Sequence, residues 1–251
     1  MQFTFEGVTV RVNIPDMAAL EQALRGRMRA GAGFALATIN LDHLDKLAAS
    51  ARFRAAYVAQ DFVVADGNPI VWLSRLAGRP VQLLPGSDLV LPLARMAASE
   101  GLSVALVGST DAALAAAARR MQAAVPGLKI AAMIAPEMGF DPEGTAAAWV
   151  LEAIAASGAG LVFLALGAPK QELFAARGRR ELPQVGFASI GAGLDFLAGR
   201  QKRAPRWVRR LALEWLWRAA SDPARLARRY GQSALALPGH VVRAWKLRRA
   251  G

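Results

Sequence analysis

The chain has 251 residues, 54% hydrophobic and 20% charged, with no cysteine, two histidines and a formal net charge of +12. A chain of this length and apolar content buries a sizeable core, and at roughly 150 residues per domain it makes one large domain, with or without an appendage. Lack of cysteine excludes a disulfide framework, a thiolate nucleophile and any Cys-ligated zinc or iron–sulfur site, and His43 and His240 alone cannot build a multi-histidine metal centre.

The charge is unevenly placed. Residues 1–199 hold 17 Lys+Arg and 17 Asp+Glu, whereas residues 200–251 hold 14 basic residues against Glu214 and Asp222, so the whole excess lies in the last 52 residues. Trp207, Trp215, Trp217 and Trp245 fall there too. A neutral body with a basic, Trp-rich tail suits a polyanionic partner, either an anionic membrane surface or nucleic acid. No run approaches about 18 consecutive apolar residues, and the stretch Met1–Glu6 lacks the basic-then-apolar order of a signal peptide, so the expected location is the cytoplasm.

In chain order, short apolar runs alternate with longer Ala-rich amphipathic stretches. Strands are expected at Val8–Val12, Phe34–Thr38, Phe62–Ala65, Ser103–Val107, Lys129–Ile134, Leu161–Leu166 and Val185–Ile190, and helices near 16–29, 41–58, 69–77, 87–100, 110–124, 142–157 and 169–181. Ser109-Thr110-Asp111 ahead of an Ala run and Pro169 inside a first turn are helix start signals. After Gly199 the strand signal stops, and 205–218 and 222–249 read as basic helices, the second broken near Pro238-Gly239. The expectation is an α/β, Rossmann-like parallel-sheet domain over 1–199 followed by a basic, Trp-rich helical appendage over 200–251 that associates with membrane.

Open α/β sheets bind ligands outside the carboxyl ends of their strands. Four loops there carry polar groups or glycines: Thr38-Ile39-Asn40, Ala65-Asp66-Gly67, Gly167 to Glu172, and Gly191 to Phe196. Singly, Asn40 reads as a helix cap, Asp66-Gly67 as a tight turn and Glu172 as a first-turn acid; together they read as one site. His43 follows Asn40 on the same helix start, and His240 is given no role.

These residues, with Gly86-Ser87-Asp88-Leu89, Val107-Gly108, the run Pro169-Lys170-Gln171-Glu172, Lys202-Arg203-Ala204-Pro205, Glu214-Trp215 and Arg228-Arg229-Tyr230, resemble the WecG/TagA/CpsF glycosyltransferase family, glycosyltransferase family 26, from about residue 8 to 230. The resemblance implies an inverting transferase that moves a hexose or N-acetylhexosamine, or its uronic acid, from a UDP-sugar to a polyprenyl-diphosphate-linked saccharide. It implies work at the inner face of the bacterial cytoplasmic membrane, in exopolysaccharide or other cell-surface polysaccharide assembly. It makes Asp66 the general base and puts Thr38, Asn40 and Gln171 in the pocket, with basic residues of the appendage completing the site. Gly67 and Glu172 are expected beside them. One position departs from the family pattern: Leu83 stands where an Arg is usual, with Arg79 the nearest basic residue.

The chemistry such a transfer needs is present. An acceptor hydroxyl attacks the anomeric carbon while a carboxylate takes its proton, and Asp66 at a strand end beside a small Gly67 suits that task. The chain has no Asp-x-Asp pair to hold a metal, so no metal or other cofactor is expected. The leaving diphosphate would instead meet backbone N–H groups after Gly108, Gly167 and Gly191, together with Lys202 and Arg203. In 205–218, Trp207, Leu211 and Trp215 recur at helical spacing between Arg206, Arg209 and Arg210, the pattern of a helix lying in a headgroup layer. The competing reading is a nucleic-acid-binding protein with a Rossmann-like body. The body carries no nucleic-acid motif, however, and no nucleic-acid partner is expected. A dinucleotide site would need Gly-x-Gly-x-x-Gly after a strand, but Gly31-Ala32-Gly33 precedes one. The donor sugar is left open, and a homo-oligomer is compatible with the sequence.

Overall fold

In the computed structural model, which describes residues 1–200, 204, 205, 208, 217 and 237–249, the chain opens on an antiparallel hairpin of β1 (Gln2–Phe5) and β2 (Val8–Arg11). Helix α1 (Met17–Arg29) follows, capped by Asp16, whose side chain accepts the Ala19 N–H at 2.8 Å. Then come β3 (Phe34–Ile39), α2 (Leu41–Ala49), α3 (Ala51–Val58), β4 (Phe62–Ala65), α4 (Asn68–Leu76), α5 (Gly86–Ser99), β5 (Val104–Gly108), α6 (Asp111–Ala124) and β6 (Ile130–Ile134). The body ends with α7 (Thr145–Ser157), β7 (Leu161–Ala165), α8 (Lys170–Glu181), β8 (Gly186–Ser189) and α9 (Gly193–Ala198).

Strands β3 to β8 form one parallel sheet in the order β4-β3-β8-β7-β5-β6. β3, β5 and β8 are buried at every position, as strands covered by helices on both faces must be. Alternation along each strand sorts the side chains. Phe34, Leu36, Leu106, Phe163 and Ala188 pack with Leu24, Val90, Leu93 and Leu114 of α1, α5 and α6. Ala35, Val107, Val162, Leu164 and Phe187 pack with Leu151, Ile154 and Phe174 of α7 and α8. The architecture is the expected α/β, Rossmann-like one.

Three elements differ from the sequence expectation. The run Val8–Val12 does not join the sheet; β2 pairs with β1, which escaped notice because Gln2–Phe5 is short and the turn Glu6-Gly7 compact. The helix expected over 41–58 is two helices. Ser50 interrupts it in extended backbone, and its hydroxyl accepts the Phe53 N–H at 3.2 Å to start α3. The Gly191-to-Phe196 stretch, read as a loop, instead runs into the short α9, whose glycines masked the helical signal.

Residues 237–249 are helical. Buried His240 and Ala244 turn inward, and the imidazole meets Phe3 and Phe5 of the hairpin edge-on at 6.1 and 6.3 Å. Apart from single residues, the segments expected as helices over 205–218 and 222–236 lie outside the described residues. Among the described residues no helix is long and apolar enough to cross a membrane.

Candidate active site

The sheet sets the site. β3 and β4 run parallel in register, Thr38 opposite Val64 and Ile39 opposite Ala65, so the residues that follow them emerge side by side at the carboxyl end. Asp66 is anchored there by its N–H to the Ile39 carbonyl at 2.8 Å, and its Oδ2 lies 3.5 Å from the Thr38 hydroxyl. Gly67 next to it has φ +125°, a backbone that an L side chain resists, and a Cβ placed there would lie 3.6 Å from the Asn40 Cβ. The turn that presents Asp66 therefore also packs against Asn40.

Asn40 caps α2. Its Oδ1 accepts the His43 N–H at 3.2 Å, and its own N–H donates to His43 Nδ1 at 3.1 Å, a reciprocal box at the helix start. Lys46, one turn on, bridges Asp42 at 2.7 Å and the Ala168 carbonyl at 3.2 Å, tying α2 to the loop before α8.

From the first turn of α8, Gln171 and Glu172 enter a buried layer under the site. The Gly191 N–H donates to Gln171 Oε1 at 3.1 Å, and Gln171 Nε2 donates to Glu172 Oε1 at 2.8 Å. Glu172 Oε1 lies 3.8 Å from His43 Nε2, an electrostatic contact longer than a hydrogen bond, while Oε2 has no hydrogen-bond partner among the described residues. Glu172 is fully buried, and desolvation, partly offset by the Gln171 amide and Lys46, pushes its pKa up to about 7. Tyr57 of α3 closes the layer by donating to the Thr38 carbonyl at 2.7 Å; burial and the carboxylates of Glu172, Asp66 and Asp42 hold its phenol well above the ordinary range, hence neutral.

Gly167 follows β7 and Gly108 ends β5, two and three strands from β3, where the connections diverge. From β5 the chain passes through α6 to β6 on one side, and from β7 through α8 to β8 on the other, so a crevice opens between the two loops. Gly108, at φ +114°, lets the chain pass a neighbour that a side chain would strike, since a Cβ there would collide with the Ala165 carbonyl. Across this crevice the Ser109 hydroxyl, on a residue with φ +54°, bonds Asp195 of α9 at 2.5 Å, and Arg200 reaches Thr110 at 2.7 Å.

The structure thus brings Thr38, Asn40, Asp66, Gly67, Gln171 and Glu172 into one cluster, with Gly108 and Gly167 at the adjoining crevice; Gln171, at 2% exposure, and Glu172 are both buried beneath the surface of that cluster. Lys202 and Arg203 lie outside the described residues. Sequence reasoning gave no task to Tyr57 or to the Ser109–Asp195 pair, and only the i, i+3 spacing of Asn40 and His43 hinted at their box. Leu83 forms an isolated parallel bridge with Ala65, so the departing position lies directly beside the Asp66 turn, whereas Arg79 lies near the N-terminal amine of Met1, whose pKa is lowered by burial and then by the Arg79 charge. Among the described residues no three His, Asp or Glu side chains gather as a metal site.

Known proteins share this chain's pattern. Over 200 residues, 79% of this chain and 74% of the other, it is 32% identical to an N-acetylglucosaminyldiphosphoundecaprenol N-acetyl-beta-D-mannosaminyltransferase of Bacillus spizizenii. Residues 5–251, nearly the whole sequence including every strand-end loop described above, match the glycosyl transferase WecG/TagA/CpsF family, and the chain belongs to that family.

Proposed function

We propose that this glycosyltransferase moves a hexose or N-acetylhexosamine, or its uronic acid, with inversion from a UDP-sugar to a polyprenyl-diphosphate-linked saccharide, in building a bacterial exopolysaccharide or other cell-surface polysaccharide. The observation that carries the reading is Asp66. It is a half-buried carboxylate on a rigid turn at the sheet's carboxyl end, beside Thr38, Asn40 and a buried polar layer. In this role Asp66 takes the proton of the acceptor hydroxyl as it attacks the anomeric carbon. The N-termini of α6 and α8, flanking the Gly108–Gly167 crevice, offer N–H groups to the departing diphosphate, and Lys202 and Arg203 add charge to it. The acceptor in the Bacillus relative's name, an N-acetylglucosaminyl diphosphoundecaprenol, is the first to try.

The helix 237–249 supports peripheral membrane attachment. Its outward side carries exposed Val241, Val242 and Trp245 beside Arg243, Lys246, Arg248 and Arg249, and the Arg249 guanidinium stacks 3.5 Å over the Trp245 ring. In this reading residues 200–251 are the appendage that meets the anionic inner face of the membrane, where a lipid-linked acceptor resides.

The test is a panel of UDP-sugars with a short-chain polyprenyl-diphosphate sugar acceptor, scored by product mass. Transfer from one donor is expected, and no transfer from any would overturn the assignment. With the active pair in hand, Asp66→Asn is expected to fold normally and lose about 10²–10⁴-fold in kcat; near-normal turnover would remove Asp66 from the role.

A further inference from the structure

The hairpin at the start of the chain has one side that no strand covers. Met1 and Val12, opposite each other in its register, exchange both main-chain hydrogen bonds, at 2.8 and 3.3 Å. In an antiparallel pair bonded and non-bonded positions alternate, so Phe3 and Phe5 turn their N–H and C=O groups to β2, whereas Gln2 and Thr4 turn theirs to the open edge. The 3.0 Å contact between the Thr4 and Thr9 hydroxyls fits the closer, non-bonded position. Among the described residues the main-chain groups of Gln2 and Thr4 have no hydrogen-bond partner. The edge is also undefended: Gln2–Phe5 holds no charge, no proline and no bulge, the features that keep a free strand from pairing.

This edge borders a groove of about 290 Å³, walled on the other side by the helix 237–249. His240, Ala244 and Leu247, at i, i+4 and i+7, give that wall an aromatic and apolar face toward the hairpin. Exposed Arg243 and Lys246 stand at the rim and enter no ion pair with a described residue. No residue lining the groove is acidic, and Glu6, the acid next to β1, is paired with Arg54 instead. The groove thus offers N–H donors and C=O acceptors two residues apart, beside an apolar wall with a basic rim. A phosphate supplies acceptors alone and a hydrocarbon chain supplies neither, but an extended peptide presents donors and acceptors in that same two-residue repeat.

We propose that the groove between β1 and the helix 237–249 is a docking site for an extended, acidic peptide segment of a partner protein, which adds to β1 as a third strand of the hairpin sheet. Gln2 and Thr4 exchange main-chain hydrogen bonds with that segment, its apolar side chains lie against Ala244 and Leu247, and its carboxylates meet Arg243 and Lys246. The groove shares no residue with the Asp66 cluster, and docking there requires neither the transfer reaction nor the membrane attachment proposed above.

The probe is a fluorescein-labelled heptapeptide of alternating Val and Asp, added to the whole chain. Binding with a Kd of about 100 μM or tighter by anisotropy is expected, with amide hydrogen exchange at Gln2 and Thr4 slowed about tenfold or more. No binding up to about 1 mM, or binding that leaves exchange at Gln2 and Thr4 as it was, overturns the proposal. Thr4→Pro removes the outward N–H while sparing the bonds to β2, and is expected to weaken binding about tenfold with Phe3 and Phe5 still protected from exchange. Wild-type affinity in that folded variant overturns the proposal; if Thr4→Pro loses the hairpin, the wild-type exchange pattern decides. Arg243→Glu together with Lys246→Glu is expected to weaken the acidic peptide about tenfold or more and to favour an analogue of alternating Val and Lys. An unchanged preference for the acidic peptide overturns the assignment of its carboxylates. Phosphatidylglycerol vesicles go through the same exchange measurement: slowing at Gln2 and Thr4 by vesicles but not by peptide gives the groove to lipid and overturns the peptide reading.

Discussion

At Glu172 a titratable group has been carried out of water with only part of its hydrogen-bonding capacity met. Its proton is bound more tightly in the folded chain, with a pKa near 7 against an ordinary 4.5. A carboxyl shifted this way adds stability that is fully present below about pH 4.5 and is lost as pH rises through about 7. The difference corresponds to roughly 3 kcal/mol. Replacing Glu172 by Gln, which cannot ionise, is therefore expected to raise stability relative to wild type by an amount that grows from pH 5 to pH 8. Urea midpoints measured at both values check this, and a Glu172→Gln effect independent of pH would contradict it. In the sequence this residue is simply an acid in the first turn of a helix, and that reading is sound as far as it goes. Its burial depends on α2 and α3 folding over it, a long-range fact that neither local charge nor spacing records. Asp66 and Asn40 were legible because their roles are local: a strand end, a glycine with left-handed backbone, a cap.

Among the elements, helix starts were read well wherever a side chain does the capping, as at Thr110, whose hydroxyl accepts the Ala113 N–H at 3.4 Å ahead of α6. The exception is Ser50. The periodic run over 41–58 is continuous enough to pass for one helix, and only the geometry shows the serine ending one and opening another. Ser50→Ala is expected to cost about 1 kcal/mol through the lost cap, measurable as a lowered urea midpoint; no change would mean that packing of Phe53 and Tyr57 alone holds the break. Buried parallel strands were also legible, because continuous apolar runs bounded by glycines have few other uses. The hairpin was not, since its inward side chains Phe3, Phe5 and Val10 alternate over only four residues per strand.

At the scale of the molecule, charge and shape converge on one end. The described final helix is fastened to the hairpin by its inner side and offers tryptophan, valine and four basic residues on the outer. Replacing Trp245 by Ala together with Arg243 and Lys246 by Glu is expected to lower binding to anionic liposomes in flotation about tenfold or more, with far-UV circular dichroism unchanged. At roughly 1 kcal/mol per basic residue near the surface, the charge reversals alone account for that loss. Unaltered flotation would place attachment elsewhere in residues 200–251. A DNA mobility shift run beside it separates a membrane surface from nucleic acid.

The order of strands has a consequence for how the enzyme comes into being. β8 is the last strand in sequence yet lies at the centre, between β3 and β7. Without it the sheet divides into two groups of strands, β4-β3 and β7-β5-β6, each with an open edge facing the gap. The Asp66 turn stands on one group and the Gly108 crevice on the other, so β8 is what brings the two together. Insertion of β8 joins strands about 150 residues apart, the kind of late, non-local pairing that slows folding and leaves edges prone to aggregate. Closing of the sheet by β8 is thus a precondition for the proposed site.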